Sequence, residues 1–275
     1  MGTNSIRTNL NKDTIISEIK LSIGADTEKK KAFVVVEGID DIKFLKKFCC
    51  DTTTLYESFS GKGGVEEIVN SEIIDNCRVI GIRDKDYCRY RSDDRIFFYD
   101  KCCLEMMMLS FDDVSDGICS EFYEGEKRAM CLRSDIVKEL LTISYLRKRN
   151  EQESWGISFK AIKFSKLTND DGTIDNKSVI RVLKESNPRK DTSVLDGVFC
   201  SYDDNDDYFE ITNGHDYLRY FRYICERENR NKAPSTDTIA AALRSAFGKN
   251  HFVATTLFRQ VDMYSKSNGF QVWDV

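Results

Sequence analysis

Three carboxylates stand where short apolar runs stop. Glu37 follows AFVVV (32–36), and Asp84 and Asp86 follow CRVIGIR (77–83). Asp84-Lys85-Asp86 is a D-x-D, and its alternation aims both carboxylates to one side if the strand continues. Glu37 and Asp41 span one helical turn. Converging carboxylates repel and raise one another's pKa unless a cation lies between them. Oxygen donors without His or Cys suit a hard ion, Mg²⁺ or Mn²⁺. Such an ion polarises phosphate oxygens and stabilises displacement at phosphorus. A carboxylate free of metal duty can move protons. Taken singly, each piece has an ordinary reading: E-G after a strand is common, D-x-D is turn chemistry, and Asp40 is a helix cap. Together, behind two apolar strands with a crossover between them, they point to a site.

The elements that must position these groups follow from patterning. Ile15, Ile16, Ile19 and Ile23 predict a helix over 13–23. The β-branched run 32–36 predicts a buried strand, and Asp40 opens a helix to about Phe48. TTTLYESF (52–59) is a second strand, Gly61-Lys62-Gly63-Gly64 a turn, and VEEIVNSEII a helix. Residues 77–83 and 95–100 are further strands, and Leu104 to Leu109 is helical. Strands alternating with helices predict an α/β fold with a parallel sheet, whose ligands bind beyond the carboxyl ends of the strands.

The second half reads as mainly helical, over 134–149, 213–228, 236–247 and 250–266. Short strands are expected at 156–164 and 194–200, and Asp203, Asp204, Asp206 and Asp207 form a loop. SDGICSEFYEGE breaks the alternation, so a boundary is expected there: an N-terminal α/β domain over 1–125 and a mainly helical region over 126–275.

Composition sets the outer limits. The chain has 275 residues and 41% hydrophobic content, enough for a proper core. No segment approaches the roughly 18–20 uninterrupted apolar residues of a membrane helix. The first residues lack an apolar h-region, so no secretory signal is expected. Ten cysteines occur without any C-x-x-C. They suit small buried thiols better than a zinc site, which implies a cytoplasmic protein. A net charge of −5 means that the whole chain does not attract nucleic acid. A nucleic-acid role needs a local basic face. The candidates are Lys29-Lys30-Lys31, Arg89 with Arg91 and Arg95, Arg147-Lys148-Arg149, and the series Arg219, Arg222, Arg227, Arg230. Each also reads as a solvated helix face.

VVVEGIDD followed by VIGIRDKDY resembles the TOPRIM domain, whose signature is a strand-end E-G-x-x-D and a later strand-end D-x-D. The longer order is similar to the OLD-type TOPRIM family. It comprises Glu37-Gly38-Ile39-Asp40-Asp41-Ile42-Lys43-Phe44, Gly61-Lys62-Gly63-Gly64, Asp84-Lys85-Asp86-Tyr87 and Leu104-Glu105. The stand-alone branch includes the effector nuclease of the PARIS anti-phage system, and its G-H-D stretch is similar to Gly214-His215-Asp216. The resemblance covers about 31–110 well and 210–222 thinly. It implies a TOPRIM-like parallel sheet and a Mg²⁺-dependent nuclease acting on RNA, possible tRNA included, or DNA. It further implies an abortive-infection toxin, a homodimer when active, controlled by a separate ABC/OLD-type ATPase subunit, with no membrane partner.

Carried onto this chain, the resemblance makes Glu37 the essential acid, as metal ligand or general acid/base. Asp84 and Asp86 bind Mg²⁺, and Asp41 and Glu105 are supporting ligands. Arg83 departs from the family's apolar residue; it binds substrate phosphate or marks where the strand leaves the core. Lys62 contacts a phosphate or is a plain turn lysine. His215 binds substrate, assists proton transfer, or only starts a helix. Two other readings stay open. A haloacid-dehalogenase-like phosphatase would use Asp84 as nucleophile, although its D-x-D belongs on the first strand and Glu37-Gly38 would have no role. A non-catalytic TOPRIM-like binding module is the third.

Overall fold

The computed structural model describes residues 11–88, 90–196, 207–229 and 232–275. The chain opens with α1 (Lys12–Ala25), β1 (Ala32–Val36), α2 (Ile39–Leu45), β2 (Thr53–Glu57), α3 (Gly61–Val69), β3 (Val79–Arg83) and β4 (Ile96–Phe98). It continues through α4 (Leu104–Leu109), α5 (Asp112–Phe122), α6 (Ala129–Glu139), α7 (Leu141–Gln152), α8 (Asn176–Ser186), α9 (Gly214–Glu228) and α10 (Thr236–Ala246). It ends with α11 (Lys249–Ala254) and α12 (Thr256–Ser267). The fold is α/β, with a four-stranded, wholly parallel sheet ordered β2-β1-β3-β4. The chain divides into two units. The first runs to Asp100 and resumes over Gly248–Val275; the second is Lys101–Phe247.

In the first unit all five residues of β1 are buried, as are all five of β3, which is why both read as continuous apolar runs. Phe33, Val35 and Val79 meet Ile15, Ile19, Val65 and Ile68 from α1 and α3. Gly81 lets α3 close on the sheet, since a Cβ there would lie 2.7 Å from Val65 Cγ1 and 2.8 Å from Ile96 Cδ1. An aromatic cluster joins α2 to the returning C-terminal segment. Phe48 stacks on Phe252 at 4.2 Å, and Phe252 meets Trp273 edge-on at 4.9 Å. The last residues are tied down by backbone bonds from Asp274 N–H to Phe48 and from Cys50 N–H to Val272. No domain break falls at 125; the last 28 residues join the sheet-bearing unit rather than the helical one.

Among its described residues the second unit's named elements are all helices, joined by irregular segments and one isolated antiparallel bridge between Thr168 and Ile174. Tyr217, Leu218, Tyr220 and Phe221 on α9 are buried, so the aromatic stripe is core packing. Asp216, 3% exposed, is held by Arg147, whose Nη2 donates to Oδ1 at 3.0 Å.

Several local expectations are corrected. The Gly61-Lys62-Gly63-Gly64 segment is the first turn of α3, not a turn ahead of it. Residues 156–164 form no strand, because burial alternates there without any neighbouring strand to pair with; they lead into a 3₁₀ turn over Phe164–Lys166. Ser193–Leu195 is another 3₁₀ turn, and the rest of the strand expected at 194–200 lies outside the described residues, with Asp203, Asp204 and Asp206. SDGICSEF is not a break but the body of α5, buried through Val114, Ser115, Ile118 and Cys119. The helix expected over 134–149 is two, α6 and α7, meeting at Leu140, and that over 250–266 divides at Thr255. Among the described residues nine cysteines are free: four are buried, four half-buried and Cys77 is exposed. No described helix is long and apolar enough to cross a membrane.

Candidate metal and phosphate site

Strand order decides where the acidic groups meet. The chain leaves β1 for β2 on one side of the sheet and later lays β3 on the other side of β1. The carboxyl ends of β1 and β3 therefore flank the switch point, where parallel sheets open a crevice. Val36 is in register with Ile82, so Glu37 and Asp84 leave the sheet close together. Glu37 Oε1 accepts the Asp84 N–H at 2.9 Å, a direct bond between the two motifs.

Asp41 comes back to the same place by helix geometry. Gly38 is extended, and Asp41 Oδ2 accepts its N–H at 3.0 Å, which closes the first turn of α2. Asp40 is not the cap: it sits in that first turn and pairs with Lys43 at 3.0 Å. Three residues after Asp41, Phe44 packs edge-on against Tyr99, with centroids 6.1 Å apart.

Tyr99 is the residue that patterning missed. Its N–H donates to Arg83 C=O, one step past the end of the β3–β4 ladder, where Arg83 pairs with Phe98. Tyr99 therefore stands beside Asp84. Its hydroxyl is sealed from solvent and makes no hydrogen bond of full geometry, although it faces the Asp41 carboxylate. Burial, then the charge of Asp41, with Asp84 and Glu37 adding, push its ionisation well above the ordinary range. The signal was present in RIFFYD, but only the knowledge that β4 lies next to β3 reveals it.

Asp86 departs from the simple alternation. The strand ends at Arg83, and Asp86 adopts a left-handed conformation, φ 49°. Asp tolerates that region better than most residues. Its Oδ2 lies 2.9 Å from Lys62 Nζ. Lys62 thus enters the site from the start of α3, where Gly61, φ 56°, turns the chain past Glu37; a Cβ there would be 3.5 Å from Glu37 Oε2. Arg83 is turned inward. It is 3% exposed, Nη2 bonds Glu66 Oε1 at 2.8 Å, Nη1 donates to Asp84 C=O at 2.7 Å, and the guanidinium lies 4.6 Å over Phe98. It braces the backbone of Asp84.

These positions set the electrostatics. Burial raises the Glu37 pKa above the usual carboxylate value, and Asp86 adds to that rise. The Asp84 N–H, Arg83 and Lys62 work against it. Glu37 is therefore a better proton acceptor than an exposed glutamate.

Two predicted site residues belong to the second unit. Glu105 opens α4, and its carboxylate lies against Gly214 at the start of α9; a Cβ on Gly214 would come 2.5 Å from Oε2. His215 is exposed on that first turn, while Asp216 turns in to Arg147. The G-H-D stretch is thus a close contact, an exposed imidazole and a buried anion.

Among the described residues, no three His, Cys, Asp or Glu side chains are already gathered as a metal cluster. The donors nevertheless suit a hard cation. Glu37, Asp41 and Asp84 surround a buried hydroxyl, all donors are oxygen, and Lys62 supplies the countercharge at Asp86. No protein-family model matches the chain, and no curated protein matches it to a significant degree.

Proposed function

We propose that the strand-end acids form a Mg²⁺-dependent site that hydrolyses nucleic-acid phosphodiesters. The observation that carries this reading is the bond between Glu37 and the Asp84 amide at the switch point, with Asp41 and Tyr99 converging on it. Asp84 and Asp86, with Asp41, would hold the ion. When bound, Mg²⁺ supplies charge stabilisation for displacement at phosphorus. The protein's own part is positional. Arg83 and Glu37 fix the Asp84 backbone from two sides. Glu37 Oε2, the oxygen not bonded to Asp84, can take a proton from an attacking water. Lys62 opposes the rise in the Glu37 pKa. The Tyr99 hydroxyl stays protonated and can donate to a carboxylate.

The bond from Glu37 also weighs against the phosphatase reading, since it gives Glu37 a place in the Asp84 loop. Under the nuclease reading the chain is a toxic defence effector that acts as a homodimer and is controlled by a separate ATPase subunit. Co-expression of that subunit should restore growth to cells expressing the wild-type chain.

The test is direct. Purified protein with Mg²⁺ is incubated with end-labelled RNA, tRNA and DNA, beside Glu37→Gln and Asp84→Asn. Cleavage by the wild type should fall at least ~10²-fold in Glu37→Gln, the usual scale for losing a general base. Equal cleavage by all three proteins would overturn the reading.

A further inference from the structure

Outside the acidic site, the second unit carries a group of cations with no internal employment. From Ser154 to Asn169 the chain has three lysines and no acid. Lys160, Lys163 and Lys166 are exposed, while Phe159, Ile162 and Phe164 between them are buried. The apolar residues hold the segment down and the lysines stand out from it.

Two anchors place the segment. At one end Asn187 binds it on both sides: Oδ1 accepts Ser158 N–H at 2.8 Å, and Nδ2 donates to Ser158 C=O at 3.0 Å. The turn that follows Asn187 presents Arg189 and Lys190, both exposed, and a Cβ on Gly156 would lie 2.9 Å from Lys190 Nζ. At the other end Arg219 of α9 donates to Ile162 C=O, and Phe164 packs on Tyr220 at 5.0 Å. Lys163 sits between these two contacts. The five cations therefore share one stretch of surface.

None of the five makes an ion pair among the described residues, unlike several cations nearby in sequence. Arg149 pairs with Glu153, Lys184 with Asp196 and Arg222 with Glu226. Of the acids that flank the group in sequence, Asp191 accepts from Ser193, Asp171 accepts from Thr173, and Glu153 takes Arg149 and Trp155, while Asp170 is exposed just past the segment. In a chain of net charge −5, five exposed cations without an ion pair form a local positive field, flanked by Asp170 and Asp191.

We propose that Lys160, Lys163, Lys166, Arg189 and Lys190 form a track for the phosphate backbone of a nucleic acid. The choice of nucleic acid rests on the nuclease reading above. Two further observations favour it. Half-buried Trp155 borders the track, with the Arg149 guanidinium 5.1 Å over its ring, a flat aromatic–cation pair of the kind against which bases stack. Among the described residues the exposed large apolar side chains lie elsewhere, the nearest in sequence being Met130, so the described track lacks the insertion groups of a membrane-binding face.

Binding is measured apart from cleavage, in the full chain carrying Glu37→Gln and in EDTA. The probes are a labelled single-stranded RNA and a DNA duplex of equal length, read by fluorescence anisotropy. Lys160→Gln/Lys163→Gln/Lys166→Gln should weaken RNA binding at least ~10-fold near 100 mM salt. It should also lower the slope of log affinity against log salt by about 2, the value for three lost phosphate contacts to a single strand. Lys20→Gln/Lys46→Gln in the first unit should change neither. Trp155, one of two tryptophans, should be quenched on binding, while buried Trp273 should not.

Equal affinity and slope in the triple variant overturn the track. So does preference for polyglutamate over both nucleic acids, which would make it a protein-docking face. The two proposals fail separately. Binding that needs the lysines, without any cleavage by the wild type, removes the nuclease reading alone. Glu37-dependent cleavage that ignores the lysines removes the track alone.

Discussion

The two units put charge to opposite uses. In the first, acids gather at the ends of parallel strands, half-buried and braced by inward-facing cations such as Arg83. In the second, acids such as Asp216 are consumed by structural pairs, and unpaired cations stand on an irregular segment at the surface. A parallel sheet makes the first arrangement possible, because adjacent strand ends deliver backbone and side chains from distant sequence to one crevice. Helix packing makes no such focus. Its functional surface forms where a loop is pinned by a few apolar side chains and its polar ones are left over.

The contrast can be broken by mutation, beginning with the largest effect. Arg147→Met should destabilise the second unit by about 3 kcal/mol, because it leaves buried Asp216 with only the longer 3.9 Å pair to Arg219. The measurement is the urea midpoint, and Arg147→Met/Asp216→Leu should recover part of the loss. A single variant as stable as wild type would show that the pair is not structural.

Gly81→Ala and Gly214→Ala probe close packing in each unit and should each cost about 1–3 kcal/mol. Gly81→Ala should be the costlier, since its Cβ meets Val65 and Ile96, fully buried side chains on α3 and at β4. In Gly214→Ala the new methyl meets Glu105 and Cys103. Equal Tm values for the two variants and wild type would contradict both close approaches.

Glu37 links the site to pH. Its folded pKa is raised by burial, so the folded state holds that proton more tightly than the unfolded chain. The associated stability is present below the ordinary glutamate pKa and is lost as pH rises to the folded value. Glu37→Gln should therefore raise the Tm at neutral pH in metal-free buffer. Lys62→Met removes a charge that lowers the Glu37 pKa, so the acid limb of cleavage should move to higher pH. A limb that stays in place would separate Lys62 from Glu37.

The smallest expected change is in Tyr99→Phe. It removes a buried hydroxyl without a full hydrogen bond and keeps the ring against Phe44. Stability should hold or rise slightly, since deleting an unsatisfied polar group costs little. A loss of about 1 kcal/mol or more by thermal unfolding would mean that the Asp41 contact is a working hydrogen bond.

Legibility followed the same division. Buried strands declare themselves because nearly every residue is apolar, Arg83 at the end of β3 being the exception, so β1 and β3 and the acids behind them are visible as text. Gly61 to Gly64 was misread because glycine marks turns and helix starts alike; the contacts of Gly64 with Ser58 and Ser60 belong to a helix closing on the strand before it. The segment 156–164 alternates like a strand because it lies on a helix with one side covered, and alternation reports a covered side whatever covers it.

By itself the sequence determined the α/β class, the buried strands and the strand-end positions of Glu37 and Asp84, since these depend on local periodicity and on which residues stop a run. Only the tertiary structure decided the order β2-β1-β3-β4, and with it the meeting of Glu37 with the Asp84 amide. It also assigned Arg83 to bracing, brought Lys62 to Asp86, placed Tyr99 among the carboxylates and put Glu105 and His215 in the other unit. Those outcomes depend on which strand lies beside which and which helix closes over them. Such choices are made by the packing of whole faces, and no window of a few residues contains them.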